Sequence, residues 1–486
     1  MQQVQGCFIR QNRVKIELTQ RRSTVFLPIF HTPMMDTQQI IPLFGIATFT
    51  LIAWLLARDV KRINYRLLFW GFSFLFLFAL FVFQTAIGQN LFGGINTVVI
   101  AVVDAALEGP KFAFGSLADP AASAQNGIGF VLFFQGLATI LVISALLSIL
   151  YYVGIMAWVL KLFSAVFSKL TKISGAESLA ASANMFVGNE SLLTIRPCLP
   201  KLTRSELCVV LACCMATISA NVIGLYVGML RDVFPTIAGH LVSATVLMVP
   251  AAVILAKLAM PETETPETLG IRVEPHVEKE NSFIEAILAG GENGFKMIVG
   301  ITTMLIAVVG LLAITNVFVG WCGSHVNPLL GFSAHWSIEG TLAYFFYPLV
   351  FLMGVPMADV PTVANLLGTR AIITEVPAYF MLSQLIVENA IEPRSAVIAA
   401  YALCGFTHLP SLAIYVGGAV ALAPNRKSDI AAIAWKALLI ATLACLLTGA
   451  IAGLFCGDAS ILLGELPVTP DGDLASGDAL SQPSAI

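Results

Sequence analysis

At 486 residues, 58% hydrophobic and only 11% charged, with a mean hydropathy of +0.87, the chain lies far outside the range of soluble globular proteins, so most of its surroundings are lipid. A formal net charge of −3 offers no basic surface to nucleic acid, and the nine cysteines lack the spacing of a zinc site or a disulfide framework. No soluble enzyme domain fits between the apolar runs, and neither a His-Glu-x-x-His nor a Gly-x-Ser-x-Gly pattern occurs.

Residues 1–38 form a polar, basic extension carrying Arg10, Arg13, Lys15, Arg21 and Arg22, without the apolar stretch of a signal peptide. It is expected to lie outside the fold, and Met34 or Met35, just ahead of the first apolar run, is an alternative start. From there apolar runs of spanning length, roughly 20 residues each, recur. They predict an all-α polytopic membrane protein of about eight transmembrane helices, near 39–57, 65–87, 127–160, 205–230, 234–259, 295–320, 395–422 and 430–456. Stretches near 93–118, 281–293 and 334–352 mix apolar residues with Gly, Pro and charge and read as interfacial. Two further apolar stretches, 174–199 and 360–390, are interrupted by Asn189, Glu190 and Ser191 and by Thr374, Glu375 and Pro377. These read as re-entrant hairpins, because irregular backbone at membrane depth survives only inside protein or beside a water-filled cavity. Residues 457–486, acidic and rich in Ser, Pro, Gly and Asp, read as a solvated tail.

The expected organisation is therefore 39–122 as scaffold helices, 123–260 as a first repeat, 261–294 as a cytoplasmic loop with an interfacial helix, and 295–456 as a second repeat. Lys and Arg in short loops set the orientation. Arg58, Lys61, Arg62 and Arg66 put the first loop inside. Hairpins that return to their own side then bring Lys161, Lys169, Lys172, Arg196, Lys201, Arg204, Arg426 and Lys427 to the same face, and the acidic tail outside.

An internal repeat carries the functional signal. Asn189-Glu190-Ser191, Thr203-Arg204-Ser205, Thr217 and Tyr226-Val227-Gly228 recur in order as Thr374-Glu375-Val376, Pro393-Arg394-Ser395, Thr407 and Tyr415-Val416-Gly417. The first copy enters from inside and the second from outside, so the halves are inverted. Inverted repeats with interrupted segments mark alternating-access transporters, whose substrate site lies at the repeat interface near mid-membrane. An ionisable side chain at that depth is costly unless it is paired or hydrated, which makes Glu190 and Glu375 substrate-site candidates. The alternative is that a carboxylate there caps hairpin amides. In the second copy Pro410 removes a backbone donor beside His408 and Ser411. In the first, Thr217, Ser219 and Asn221 occupy the matching break, where small polar residues serve equally as packing contacts. Glu177 reads as a backbone ligand at the hairpin base, and Asp104 as part of an interfacial helix.

Several ordered motifs make the chain resemble the concentrative nucleoside transporter family from about residue 40 to 456. They are Phe112-Ala113-Phe114-Gly115, Leu150-Tyr151-Tyr152-Val153-Gly154-Ile155-Met156, Gly175-Ala176-Glu177-Ser178, Ala183-Asn184-Met185-Phe186-Val187-Gly188, and Thr203-Arg204-Ser205-Glu206-Leu207. The second half adds Gly354-Val355-Pro356, Leu366-Leu367-Gly368, Glu375 with Ala378-Tyr379, and Leu403-Cys404-Gly405-Phe406. The resemblance implies a cation-coupled nucleoside symporter, a homotrimer of the bacterial cytoplasmic membrane with no cofactor beyond its coupling ion. It implies substrate contacts from Asn189, Glu190, Ser191, Glu375, His408 and Ser411. It also implies a sodium site from Asn184, the Val187 carbonyl, Ser219 and Asn221, whose neutral oxygens suit a hard monovalent cation. Some relatives use protons, which Glu190 or His408 would carry. The chain departs from the family pattern at the contacts themselves. The first hairpin's Gln-Thr-Glu-Ala-Pro becomes Asn189-Glu190-Ser191-Leu192-Leu193, Thr374 replaces the Asn before the ribose-binding glutamate, and Gly-Phe-Ala-Asn becomes a segment ending in Thr407-His408 with Ser411 retained. A ribose-like polyol end is expected to persist, while a different nucleoside-like or other small polar solute remains the alternative substrate.

Overall fold

In the computed structural model residues 37–57, 59–188, 191–276, 280–330 and 336–457 are described. The basic extension, Asn189, Glu190 and the acidic tail lie outside them. The described residues form helices α1 (Thr37–Leu55), α2 (Tyr65–Gln84), α3 (Ala86–Phe114), α4 (Pro120–Gln125), α5 (Thr139–Tyr152) and α6 (Ile155–Thr171). They continue with α7 (Gly175–Ala183), α8 (Ser191–Thr194), α9 (Arg204–Ala216), α10 (Ala220–Leu230), α11 (Ile237–Ala259) and α12 (Phe283–Leu330). The last six are α13 (Ile338–Leu352), α14 (Val360–Ile372), α15 (Glu375–Val387), α16 (Pro393–Leu403), α17 (Leu409–Leu422) and α18 (Lys427–Phe455). Seven helical segments among the described residues are long and apolar enough to cross a membrane.

Burial sorts them into a centre and a rim. In the most apolar stretch of α9–α10 94% of residues are buried within the protein, and in α11 89%, against 17% in α3 and in α12. The centre is α9, α11 and α18 packed on one another, with α16 against α18. Alanine, cysteine and glycine on these helices allow the close approach that packing in lipid requires. Two interrupted helices, α9–α10 and α16–α17, pass through this centre. The two hairpins, α7–α8 and α14–α15, flank it.

Three expected elements differ. The span at 127–160 divides at Gly154, which takes φ +87° and separates α5 from α6. The stretch 93–118 lies largely within the 29-residue α3, whose polar side chains are answered by neighbours. Asn96 donates to Pro235 O at 3.0 Å and accepts from Gly239 N at 3.1 Å, and Asp104 pairs with Arg231. The interfacial stretch 281–293 is continuous with the next span in the 48-residue α12. At roughly 1.5 Å per residue that rod is about twice as long as the hydrocarbon core is thick.

The base of hairpin 1 is tied into the centre by a buried polar network. Ser174 and Glu177 form a capping box on α7, Thr203 and Glu206 form another on α9, and Ser174 Oγ donates to Glu206 Oε1 at 2.5 Å. Glu177 does bond backbone, accepting from Ser174 N at 3.0 Å. Lys257 Nζ, from α11, lies 2.6 Å from Glu177 Oε1 and 3.1 Å from Glu262 Oε2, and donates to Ser205 Oγ at 3.0 Å. Removing one partner of a buried pair strands the other, at about 3–5 kcal/mol. Lys257→Met is therefore expected to lower the melting temperature of purified protein in detergent, and Lys257→Arg to lower it less.

Candidate functional site

Hairpin 1 turns at 184–188, where Asn184 Nδ2 donates to Ala180 O at 2.9 Å and Ser191 Oγ donates to Asn184 Oδ1 at 2.9 Å. The turn is hydrogen-bonded to the first break, since Ala220 N donates to Phe186 O at 3.0 Å. A Cβ on Gly188 would stand 3.1 Å from Ser219 Cβ. Within that break Thr217 and Ser219 are extended (ψ 158° and 149°), so the helix ladder is open between α9 and α10. The oxygens Ser219 Oγ and Asn221 Oδ1 are buried and have no hydrogen-bond partner among the described residues. Asn221 uses its other end, donating to Met297 Sδ of α12 at 3.7 Å. The expected cation ligands Asn184, Val187, Ser219 and Asn221 are all buried at this hairpin and break. Ser219 and Asn221 there offer neutral oxygen that no described residue uses.

The second hairpin and second break meet at a carboxylate. Thr374 caps α15, accepting from Val376 N at 3.3 Å, and Glu375, 3% exposed, opens the helix. Its Oε1 accepts from Tyr226 OH at 2.5 Å. Its Oε2 lies 3.0 Å from His408 Nε2. His408 is itself the N-cap of α17. Its Nδ1 accepts from Ser411 N at 3.1 Å, while Ser411 Oγ donates to His408 O at 2.7 Å. A ring nitrogen that accepts carries no proton, so neutral His408 bears its proton on Nε2, the nitrogen that faces Glu375. Each carboxylate oxygen retains a second lone pair for a ligand hydroxyl. The ring of Phe406 lies 6.2 Å from that of His408.

Glu375, His408 and Ser411 thus come together as expected. Ser191 is buried beside Asn184 and 3.4 Å from the Cys214 sulfur, on the hairpin 1 side. Asn189 and Glu190, the other expected contacts, lie outside the described residues. Sequence reasoning missed Tyr226, whose hydroxyl holds Glu375 and whose ring lies 4.5 Å from that of Tyr379. A signal was present in the repeat, where Tyr226 and Tyr415 occupy equivalent positions. Each hydroxyl lies beside the hairpin of the other half. Tyr226 of the first repeat serves hairpin 2, and the Tyr415 hydroxyl of the second lies 3.7 Å from where a Cβ on Gly188 of hairpin 1 would stand.

Comparison with known proteins places this geometry in a class. Family models described as Na+ dependent nucleoside transporter N-terminus, nucleoside recognition and Na+ dependent nucleoside transporter C-terminus match residues 44–117, 133–232 and 240–453. The nucleoside permease NupC of Helicobacter pylori is 31% identical over 418 residues, 85% of this chain and 97% of that protein. Human solute carrier family 28 member 3 is 32% identical over 448 residues, 89% of this chain, but the chain spans only 62% of that relative's length. The solved structure of CNTnw in an inward-facing substrate-bound state superposes with a TM-score of 0.79 at 30% identity, covering 87% of this chain and 98% of that one. The chain belongs to the Na+ dependent nucleoside transporter family, the concentrative nucleoside transporters.

The cap and the carboxylate contact made by His408 separate by substitution. Asn is a strong N-cap whereas Ala is not, a difference of about 1 kcal/mol. His408→Asn is expected to keep the melting temperature near wild type and His408→Ala to lower it, as read by thermal denaturation without ligand.

Proposed function

We propose that the protein imports nucleosides across the bacterial cytoplasmic membrane by cation symport, alternating access of one site to the two sides, and that it does so as a homotrimer. One observation carries this reading: both interrupted helices and hairpin 2 meet at Glu375, a buried carboxylate held between Tyr226 OH at 2.5 Å and His408 Nε2 at 3.0 Å. A carboxylate oriented by two donors, with free lone pairs, is suited to receive a vicinal diol such as that of a ribose. Ser411 supports the same end of the ligand. Asn189, Glu190 and Ser191 of hairpin 1 would receive the attached group, with Phe406 close by for a flat ring.

Sodium is the proposed coupling ion, held by Asn184, the Val187 carbonyl, Ser219 and Asn221. The support is chemical, since the oxygens are neutral and two of them have no partner among the described residues. A proton is the competing coupling ion, with Glu190 or His408 as its carrier. Replacement of the family's Gln-Thr-Glu-Ala-Pro tip by Asn189-Glu190-Ser191-Leu192-Leu193 favours, as the second reading of substrate, a different nucleoside-like or other small polar solute.

Radiolabelled uridine and adenosine uptake into proteoliposomes tests both parts. Sodium-driven uptake is expected in wild type and is lost in Glu375→Ala. Uptake that survives sodium removal and follows the pH gradient would replace sodium by the proton, and folded protein that moves neither nucleoside would replace the substrate. Ser219→Ala removes one neutral oxygen and is expected to raise the half-saturating sodium concentration about tenfold, with nucleoside affinity at saturating sodium little changed.

A further inference from the structure

Arg370 lies in the last turn of α14 and is the largest side chain with no exposure. Its Nη1 donates to Ala402 O, a carbonyl that the end of α16 leaves without an intrahelical partner. The guanidinium also lies against the Cys445 thiol, whose sulfur is 3.7 Å from Ala216 O, the last residue of α9. The C-terminal ends of both interrupted helices, one directly and one through Cys445, therefore face a single positive charge. Each such end carries about half a negative charge. Among the described residues no carboxylate pairs with Arg370, and its Nε and Nη2 have no hydrogen-bond partner. A buried cation with no counter-ion is costly, so the helix ends are what holds it there.

The internal repeat gives this placement a meaning. Matching Glu190 with Glu375 sets Met185 opposite Arg370. Among the described residues, the turn of the first hairpin and its break offer neutral oxygens and no charge, the Glu177–Lys257 pair lying at the hairpin's base. At the second it supplies a guanidinium. We propose that Arg370 is the second repeat's built-in counterpart of the coupling cation, a positioning residue whose fixed charge anchors hairpin 2 to the end of α16. The anchor holds the hairpin tip just before Glu375, and Tyr379 OH, donating to Ala400 O at 2.9 Å, adds a second tie to the same helix end. Together they fix the carboxylate in reach of Tyr226 and His408. Half-helix C-termini that elsewhere take up an ion are here satisfied by the chain itself.

Hydrogen exchange of purified protein, followed by mass spectrometry, tests the anchor without any substrate. In Arg370→Met, which installs the first repeat's residue, peptides within 360–376 are expected to exchange at least about tenfold faster than in wild type, while 175–188 is unchanged. Arg370→Lys, which keeps the charge, stays close to wild type. Arg370→Gln, which keeps donors without charge, behaves like Met and serves in its place if Met does not fold. The second arm, uridine binding, rests on the symport reading: affinity is expected to fall about tenfold in Arg370→Met with the half-saturating sodium concentration unchanged. Wild-type protection of 360–376 in both neutral variants overturns the proposal, as does loss of protection spread equally over 175–188 and 237–259. A wild type that binds no nucleoside but shows the exchange difference overturns the nucleoside reading and leaves the anchor standing.

Discussion

Backbone that leaves a helix inside lipid must find its hydrogen bonds elsewhere in the protein, and this one requirement organises the structure. Both interrupted helices open their ladders in the buried centre, and each opening is answered by hydrogen bonds from outside the helix ladder. Hairpin 1 accepts Ala220 N–H through Phe186 O. His408 and Ser411 cap each other's backbone at the start of α17. Ala400 and Ala402 carbonyls are taken by Tyr379 and Arg370. The polar groups that make a binding site are thus the same groups that make the breaks tolerable, which is why the site sits where it does.

Each half answers its own break, and matched tyrosines then cross between the halves: Tyr226 of the first repeat donates to Glu375 of hairpin 2, and the Tyr415 hydroxyl of the second lies beside Gly188 of hairpin 1. Around the breaks the symmetry is broken in charge: the second has a carboxylate, a histidine and a guanidinium, while the described residues of the first break and hairpin turn offer hydroxyl, amide and carbonyl oxygen. On the proposed reading this division separates the place of a hydroxylated solute from that of a small hard cation.

Much of this was legible in the sequence because lipid makes polar residues conspicuous. Glu375, His408 and Ser411 interrupt apolar runs, and so do Ser219 and Asn221. The hairpins were legible for the same reason. What was not legible depended on partners far along the chain. Tyr226 looks like packing within an apolar helix until Glu375, 149 residues away, is brought to its hydroxyl. Asn96 and Asp104 make 93–118 look too polar for a long apolar helix, yet Pro235, Gly239 and Arg231 pair with them from a neighbouring segment. Arg370 carries no signal in the sequence because nothing local announces that helix ends converge on it. The division at Gly154 turns on a single left-handed backbone angle inside an otherwise apolar run, which hydropathy does not register.

At the crossing of the two breaks, a Cβ on Gly405 would stand 2.4 Å from Ala216 O and 2.6 Å from Cys445 Sγ. No spacer separates the two openings, and there is no room for one. Parting them would strip a buried carbonyl of its neighbours, so in the proposed transport cycle the two openings are expected to travel together as one unit.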